Sequence, residues 1–326
     1  MGPESLVFIA NIIAAGLRTG TPLLFATLGE IISERSGVMN LGVEGMMLMG
    51  ALTGFMAAFH TGSPWIGLLV GMIAAGVLSL LHAFVAITLR GDQVVSGLAL
   101  TMVGVGLTAV LGAPYVQIRD VPRLPVINLP FLTEIPWIGE SFLYPIFGSQ
   151  NIVVLLGFLS VPLVWFIFKR TRLGLHVDSV GEYPAAADAA GISVSGLRFL
   201  AVATGGLFAG LAGASLSLAI TPLWIENMTA GQGWIAVGLV IFSGWKPWRA
   251  VVGAYVFGAL RRLPLDLQTI AWLPFAANPI LGVWLDMIPY LFTIVVLIFS
   301  SREAIRKHMG SPSALAIPYV RGERGV

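Results

Sequence analysis

Apolar positions in this chain run on instead of alternating. No Asp, Glu, Lys or Arg interrupts residues 45–89, and residues 93–118, 141–168, 199–225 and 227–245 are equally free of formal charge. A hydrocarbon core about 30 Å thick is crossed by roughly 20 apolar residues of helix. The first run therefore has the length of two crossings, and each of the others that of one or nearly one. Strands of a transmembrane barrel would alternate apolar and polar residues, and these runs do not. The pattern predicts an all-α fold, a polytopic transmembrane helical bundle.

Charges between the runs orient it. Lys169, Arg170, Arg172 and Arg198 flank one polar segment, and Arg302, Arg306, Lys307, Arg321 and Arg324 fall in the tail. Basic residues collect on the cytoplasmic side, so the polar loop at about 169–198 and the short tail at about 301–326 are both read as cytoplasmic. Spans near 199–220, 230–245, 249–263 and 279–300 fit between them, with Lys246 and Arg249 on an inner turn; Arg261 and Arg262 fall on the outer side, against the rule. Upstream, 150–168 runs inward, the Pro-rich 113–149 lies outside, and spans near 92–112, 64–89 and 37–59 precede it. The first 33 residues hold one long span broken around Arg18–Pro22, or two short ones. Eight to ten spans are expected, ten first, in a single transmembrane domain over 1–326.

Composition sharpens this picture. Hydrophobic residues make up 57% of the chain and charged residues 10%, with a mean hydropathy of +0.90; soluble domains are nearer a quarter charged. Small residues let membrane helices approach closely, and Gly50/Gly54, Gly67/Gly71 and Gly206/Gly210 have the small-xxx-small spacing. The absence of cysteine removes disulfides, thiolate metal sites and a cysteine nucleophile. The opening "MGPESLVFIANIIAAGLRTG" is acidic where a signal peptide is basic, and is read as retained.

The remaining polarity is concentrated. "GEIISERSGVMNLGVEGMMLMGA", residues 29–51, brings Glu30, Glu34, Arg35, Asn40 and Glu44 together. Glu30, Glu34 and Arg35 read as the cytoplasmic end of a helix or re-entrant segment, where charge meets water. Ser36-Gly37 then breaks the chain, and a new helix sets Asn40 and Glu44 on one face. A lone membrane carboxylate is costly unless hydrogen-bonded. Glu44 is therefore expected to face the bundle interior, accepting from Asn40 or a neighbouring helix as a structural anchor. "NLGVEGMMLMG" at 40–50 has a short echo in "NMTAGQGWIAVG" at 227–238. Each is followed by a Trp-led span with glycines five apart, Gly71 and Gly76 or Gly253 and Gly258. The two copies would cross in opposite senses, as in an inverted repeat.

The polar loop, "KRTRLGLHVDSVGEYPAAADAAGISVSGLRF", has about thirty residues where a connection between helices needs only a few. Pro184 after Gly181-Glu182-Tyr183 opens a helix near its first turn, and Gly191 stands where a helix ends. A small-residue helix results, a low surface on which another protein can pack.

These residues resemble a known family. "ERSGVMNLGVEGMMLMGA" is similar to the N-terminal signature of permease subunits of bacterial ABC importers, in the branch of branched-chain amino acid, simple-sugar and nucleoside permeases. "TRLGLHVDSVGEYPAAADAAGI" resembles that family's cytoplasmic coupling segment, although Asp178 stands where a basic residue is usual and Tyr183 where Asn is usual. "GDQVVSGLAL" at 91–100 and "IPYLFTIVVLI" at 288–298 match further family stretches. The nearest branch is that of nucleoside permeases served by basic-membrane-protein-type lipoproteins. The resemblance implies a multi-pass subunit of the bacterial cell (inner) membrane with a cytoplasmic C-terminus. Its partners would be an ABC ATP-binding subunit that binds ATP and Mg, a second permease subunit (identical or homologous), an extracytoplasmic solute-binding lipoprotein, and the lipid bilayer. Its cargo would be a small polar solute, nucleoside first and simple sugar second, and no nucleic-acid partner is implied. Glu182, Pro184, Ala186, Ala187, Asp188, Gly191 and Ile192 would couple to the ATPase. Asn40, Glu44, Gln93, Ser96, Asn227, Gln232 and Trp234 are the candidates for the solute path.

Other chemistries are weaker. None of Lys169, Lys246 and Lys307 follows a glycine, so the chain has no phosphate-binding loop. "GQGWIA" at 231–236 fits a dinucleotide pattern but lies in a span with no βαβ context. The four histidines form no H-E-x-x-H, and no catalytic residue, cofactor or metal site is expected in this chain. The rival reading is an ion-coupled secondary transporter, which needs membrane carboxylates. Of Glu44, Glu226 and Asp286, only Glu44 lies well inside a predicted span.

Overall fold

The computed structural model describes residues 3–136, 138–268, 284–285, 287–300 and 310–321. Asp286, Arg302, Arg306, Lys307, His308, Arg324 and the start of the expected 279–300 span lie outside them. The described chain is mostly helical: α1 (Pro3–Arg35), α2 (Val43–Thr61), α3 (Pro64–Ala83), α4 (Gln93–Gly112), α5 (Ile152–Arg170), α6 (Arg172–Glu182), α7 (Pro184–Ala189), α8 (Val194–Ser215), α9 (Gln232–Ser243), α10 (Pro247–Gln268) and α11 (Ile288–Ser300). One small ladder departs from the all-α expectation. In the Pro-rich segment, β1 (Val126–Asn128) pairs antiparallel with β2 (Ser149–Asn151) and closes the base of that loop.

Five helix starts are set locally. Ser63, Asp92, Asn151, Thr171 and Ser193 each accept a backbone N–H of the first turn of α3, α4, α5, α6 and α8, satisfying donors that a helix leaves open. The break expected around Arg18–Pro22 is absent, and α1 is continuous. Gly16 and Gly20 lie directly against α10 at Ala259 and Ala254, and this packing along α10 holds the helix through Pro22.

Six described helices are long and apolar enough to cross a membrane: Leu6–Arg35, Val43–Thr61, Pro64–Thr88, Gln93–Tyr115, Ile152–Arg170 and Val194–Ile220. The chain is a membrane protein, although the described residues do not supply the ten crossings expected. At 230–245 the helix shortens to the 12 residues of α9, about 18 Å at 1.5 Å per residue.

Around the centre, α2, α3 and α8 meet where the sequence placed its glycine pairs. A Cβ at Gly50 would strike Gly210, one at Gly71 would strike the Gly50 carbonyl, one at Gly210 the Gly71 carbonyl, and one at Gly67 the Gly54 carbonyl. Three backbones thus touch with no side chain between them, and the larger apolar residues, among them Phe25, Met46, Met47, Leu52, Phe55 and Leu218, fill the space around this crossing.

Candidate functional site

Two regions gather the predicted residues: a platform at the α5–α8 connection, and a crossing of α2 with α9.

The platform is built from α6 and α7. Helix α7 ends as its sequence dictates: Gly191 takes a positive φ of 82°, its N–H reaches the Asp188 carbonyl, and the Ile192 N–H reaches the Ala187 carbonyl, the paired closure of a Schellman motif. The inner side is apolar. Ala187, only 4% exposed, packs with Val180 and Val194, and Ile192, Leu197 and Tyr319 close around them. Pro184 is the first residue of α7. Ala187 therefore faces the protein, whereas Glu182, Tyr183, Ala186, Ala189, Ala190 and Gly191 face outward. Tyr183 is 68% exposed, an aromatic side chain presented at the tip of the platform.

Long-range contacts brace this platform. Arg35, at the end of α1, forms a forked pair with Asp178 at 2.8 and 2.5 Å and lies over the Phe168 ring, 4.0 Å from its centroid. Burial pushes the Asp178 carboxyl up from its ordinary range, and the Arg35 guanidinium offsets this in part. The C-terminal segment 310–321 then straps across. The Ala314 N–H donates to the Gly181 carbonyl and the Ala316 N–H to the Gly37 carbonyl. Ser313 Oγ donates to Glu182 at 2.8 Å, and Arg321 pairs with Asp188 at 3.0 Å. Arg198 flanks the polar segment in sequence but does not face water. It is buried and donates to the carbonyls of Ser36 and Ile317, joining the α1–α2 break to the strap.

The second region explains the carboxylate inside the apolar run. Helix α9 has Gly231 at its N-cap and no side-chain cap of its own. Glu44 supplies one from α2. Its Oε1 accepts from Thr229 Oγ1 at 2.5 Å and from the Gly231 N–H at 2.8 Å, and its Oε2 accepts from the Gly233 N–H at 2.6 Å. A carboxylate at a helix N-terminus meets unsatisfied donors and the positive end of the dipole. Gly233 sits so close to the Glu44 backbone that a Cβ would overlap it. The two echoing segments of the sequence are therefore brought together, each touching the other at its helix start. Asn40 is not the partner of Glu44: its Oδ1 accepts from the Gly42 N–H, and its own N–H donates to Glu30 Oε1 at 2.9 Å.

Glu30 and Glu34 do not reach water. Both are 1% exposed, because the chain after Gly37 folds back alongside α1 and offers the Asn40 N–H, while the α9–α10 turn offers the Trp245 indole to Glu34 at 2.6 Å. The other path candidates separate. Gln93 accepts from the Met39 N–H, and Ser96 meets His82, whose other ring nitrogen meets the Met39 carbonyl, so these residues hold the α1–α2 connection. Asn227 and Trp234 are exposed. Gln232 is buried and lines a cavity of about 190 Å³ with Thr19, Thr221, Met228 and Arg261. No group of three or more His, Cys, Asp or Glu that could hold a metal ion occurs among the described residues.

The family model described as "Branched-chain amino acid transport system / permease component" matches residues 12–299. The putative glucose ABC transporter permease TsgC13 of Haloferax volcanii is 42% identical over 96% of this chain and 98% of its own. The guanosine ABC transporter permease NupQ of Bacillus subtilis is 34% identical over 97% and 98%, and the nucleoside ABC transporter permease NupC of Lactococcus lactis is 32% identical over 96% and 97%. No solved structure matches the chain.

Proposed function

The chain belongs to the branched-chain amino acid transport system / permease component family, and we propose that it is the membrane subunit of an ATP-driven importer for a small polar solute, a nucleoside in the first instance. Its relatives are transport permeases and not enzymes. The observation that carries the reading is the platform: a short helix with small residues and one aromatic facing outward, braced from behind by Arg35–Asp178 and the C-terminal strap. A separate ATP-binding subunit, holding ATP and Mg, docks there and passes its closure to the membrane helices as a rigid-body movement. The platform and strap face the cytoplasm, a second permease subunit completes the membrane unit, and an extracytoplasmic binding lipoprotein delivers solute to the opposite face.

Solute passage uses the cavity beside Gln232. At about 190 Å³ it is smaller than the 300–1,000 Å³ usual for small-molecule sites, so loading requires α1, α10 and the α8–α9 connection to part. A simple sugar is the second reading, favoured by the 42% identical relative. The ion-coupled alternative is disfavoured because both oxygens of Glu44 are committed to α9.

Uptake of labelled guanosine and glucose by cells with and without the gene tests this. ATP-dependent guanosine uptake that survives a protonophore is the expected result. Gradient-driven uptake by the purified chain alone in liposomes would overturn the importer-subunit reading.

A further inference from the structure

A cavity of about 490 Å³ opens on the platform face, between the end of α5, the end of α6 and the α9–α10 turn. Three exposed cations, Lys169, Lys246 and Arg249, stand around it, with Trp165, Phe168, Trp245 and Trp248 as its aromatic lining. Its two carboxylates are already engaged, Asp178 by Arg35 and Glu182 by Ser313. Among the described residues no carboxylate pairs with Lys246 or Arg249, so the cavity keeps uncompensated positive charge. The first turn of α10 borders it and adds the positive end of a helix dipole.

One side leads into an apolar track. Trp248, Val252 and Val256 fall at four-residue steps along α10 and are 54%, 61% and 40% exposed, so they form a single outward stripe beginning at the cavity. Tryptophan beside Lys or Arg at the end of a membrane helix suits the headgroup level of a bilayer, and basic pockets between such helices bind anionic headgroups. A protein partner would satisfy the cations but leave the stripe running on into the membrane. A lipid satisfies both.

We propose that this cavity binds the phosphodiester headgroup of an anionic phospholipid, with Lys246 and Arg249 on the phosphate and the acyl chains laid along Trp248, Val252 and Val256. The inference requires only that the chain spans a membrane, and it stands or falls apart from the identity of the solute.

Native mass spectrometry of the full chain, exchanged into equal phosphatidylglycerol and phosphatidylcholine, tests it. One retained phosphatidylglycerol is expected, weakened about tenfold to thirtyfold by Lys246→Gln with Arg249→Gln. Loss of two cations elsewhere, through Arg119→Gln with Arg123→Gln in the Pro-rich segment, should leave it unchanged. Equal retention of the two lipids, or equal retention by both double variants, overturns the proposal. So does displacement of the lipid by millimolar glycerol 1-phosphate, which would mark a site for free phosphate. If the Lys246/Arg249 variant keeps its phosphatidylglycerol but loses co-purifying ATPase, the cavity belongs to the protein partner and the proposal is wrong.

Discussion

At the scale of single residues, Glu44 is the clearest case of sequence chemistry that geometry alone completes. Every group facing it is a donor: one hydroxyl and two backbone N–H groups. A glutamine is therefore a poorer substitute than its shape suggests. Its carbonyl can serve Thr229 and Gly231, but its amide N–H₂ then confronts the Gly233 N–H. We expect Glu44→Gln to lower the unfolding free energy by about 1–3 kcal/mol, the usual cost of one unsatisfied buried group, and Glu44→Leu to cost more because it strands three donors. Thermal unfolding in detergent ranks the two; equal melting temperatures would show that the carboxylate is not the cap of α9. A lone carboxylate in an apolar run announces an inward-facing, hydrogen-bonded group, but two of its three partners are backbone N–H groups nearly two hundred residues away, which no residue type marks. The same limit hid Glu30 and Glu34. Their spacing reads as a wet helix end until the Asn40 N–H and the Trp245 indole are seen to reach them.

At the scale of elements, local signals served well where they are sufficient to form the structure. Pro184 opens α7 and Gly191 closes it, and the glycine pairs meet at one crossing of three helices. They were insufficient for facing, because four alanines on a short helix look alike around its whole circumference. The fold decides by burying Ala187 and leaving Ala186 and Tyr183 outward. This gives a separable expectation. Ala187→Trp should fail as a folded protein, since an indole cannot enter the space among Val180, Val194 and Tyr319 and overpacking costs about 1–3 kcal/mol or more. Ala186→Trp and Tyr183→Ala should instead leave melting within about 0.5 kcal/mol, as exposed changes do, while weakening ATPase co-purification, since exposed aromatics tend to anchor interfaces. Unimpaired co-purification in both outward variants would remove α7 from the coupling surface.

At the scale of the whole molecule, the C-terminal strap decides how the platform is held. Residues 310–321 read as an ordinary basic tail, because their order comes from carbonyls at Gly37 and Gly181 and from the buried Arg198, none of which leaves a trace in the tail's own composition. Together they make the α1–α2 break, the end of α6 and the start of α8 one body. A platform of the proposed kind has to be stiff, and the strap contributes three hydrogen bonds that end on backbone carbonyls (Ala314 to Gly181, Ala316 to Gly37, Arg198 to Ile317) besides the cover that Tyr319 gives Ala187. At about 0.5–1.5 kcal/mol each, those bonds amount to roughly 2–4 kcal/mol of local stability. Ending the chain at residue 309 should leave the membrane helices folded, because their central crossing lies elsewhere. Amide exchange over residues 178–192 should then quicken by about thirtyfold or more, the exchange equivalent of that energy, and solute-stimulated ATP hydrolysis by the assembled importer should fall while ATPase co-purification persists. If exchange in 178–192 stays at the full-length rate after truncation, the strap is not what stiffens the platform, and Arg35 with Asp178 must hold it without help.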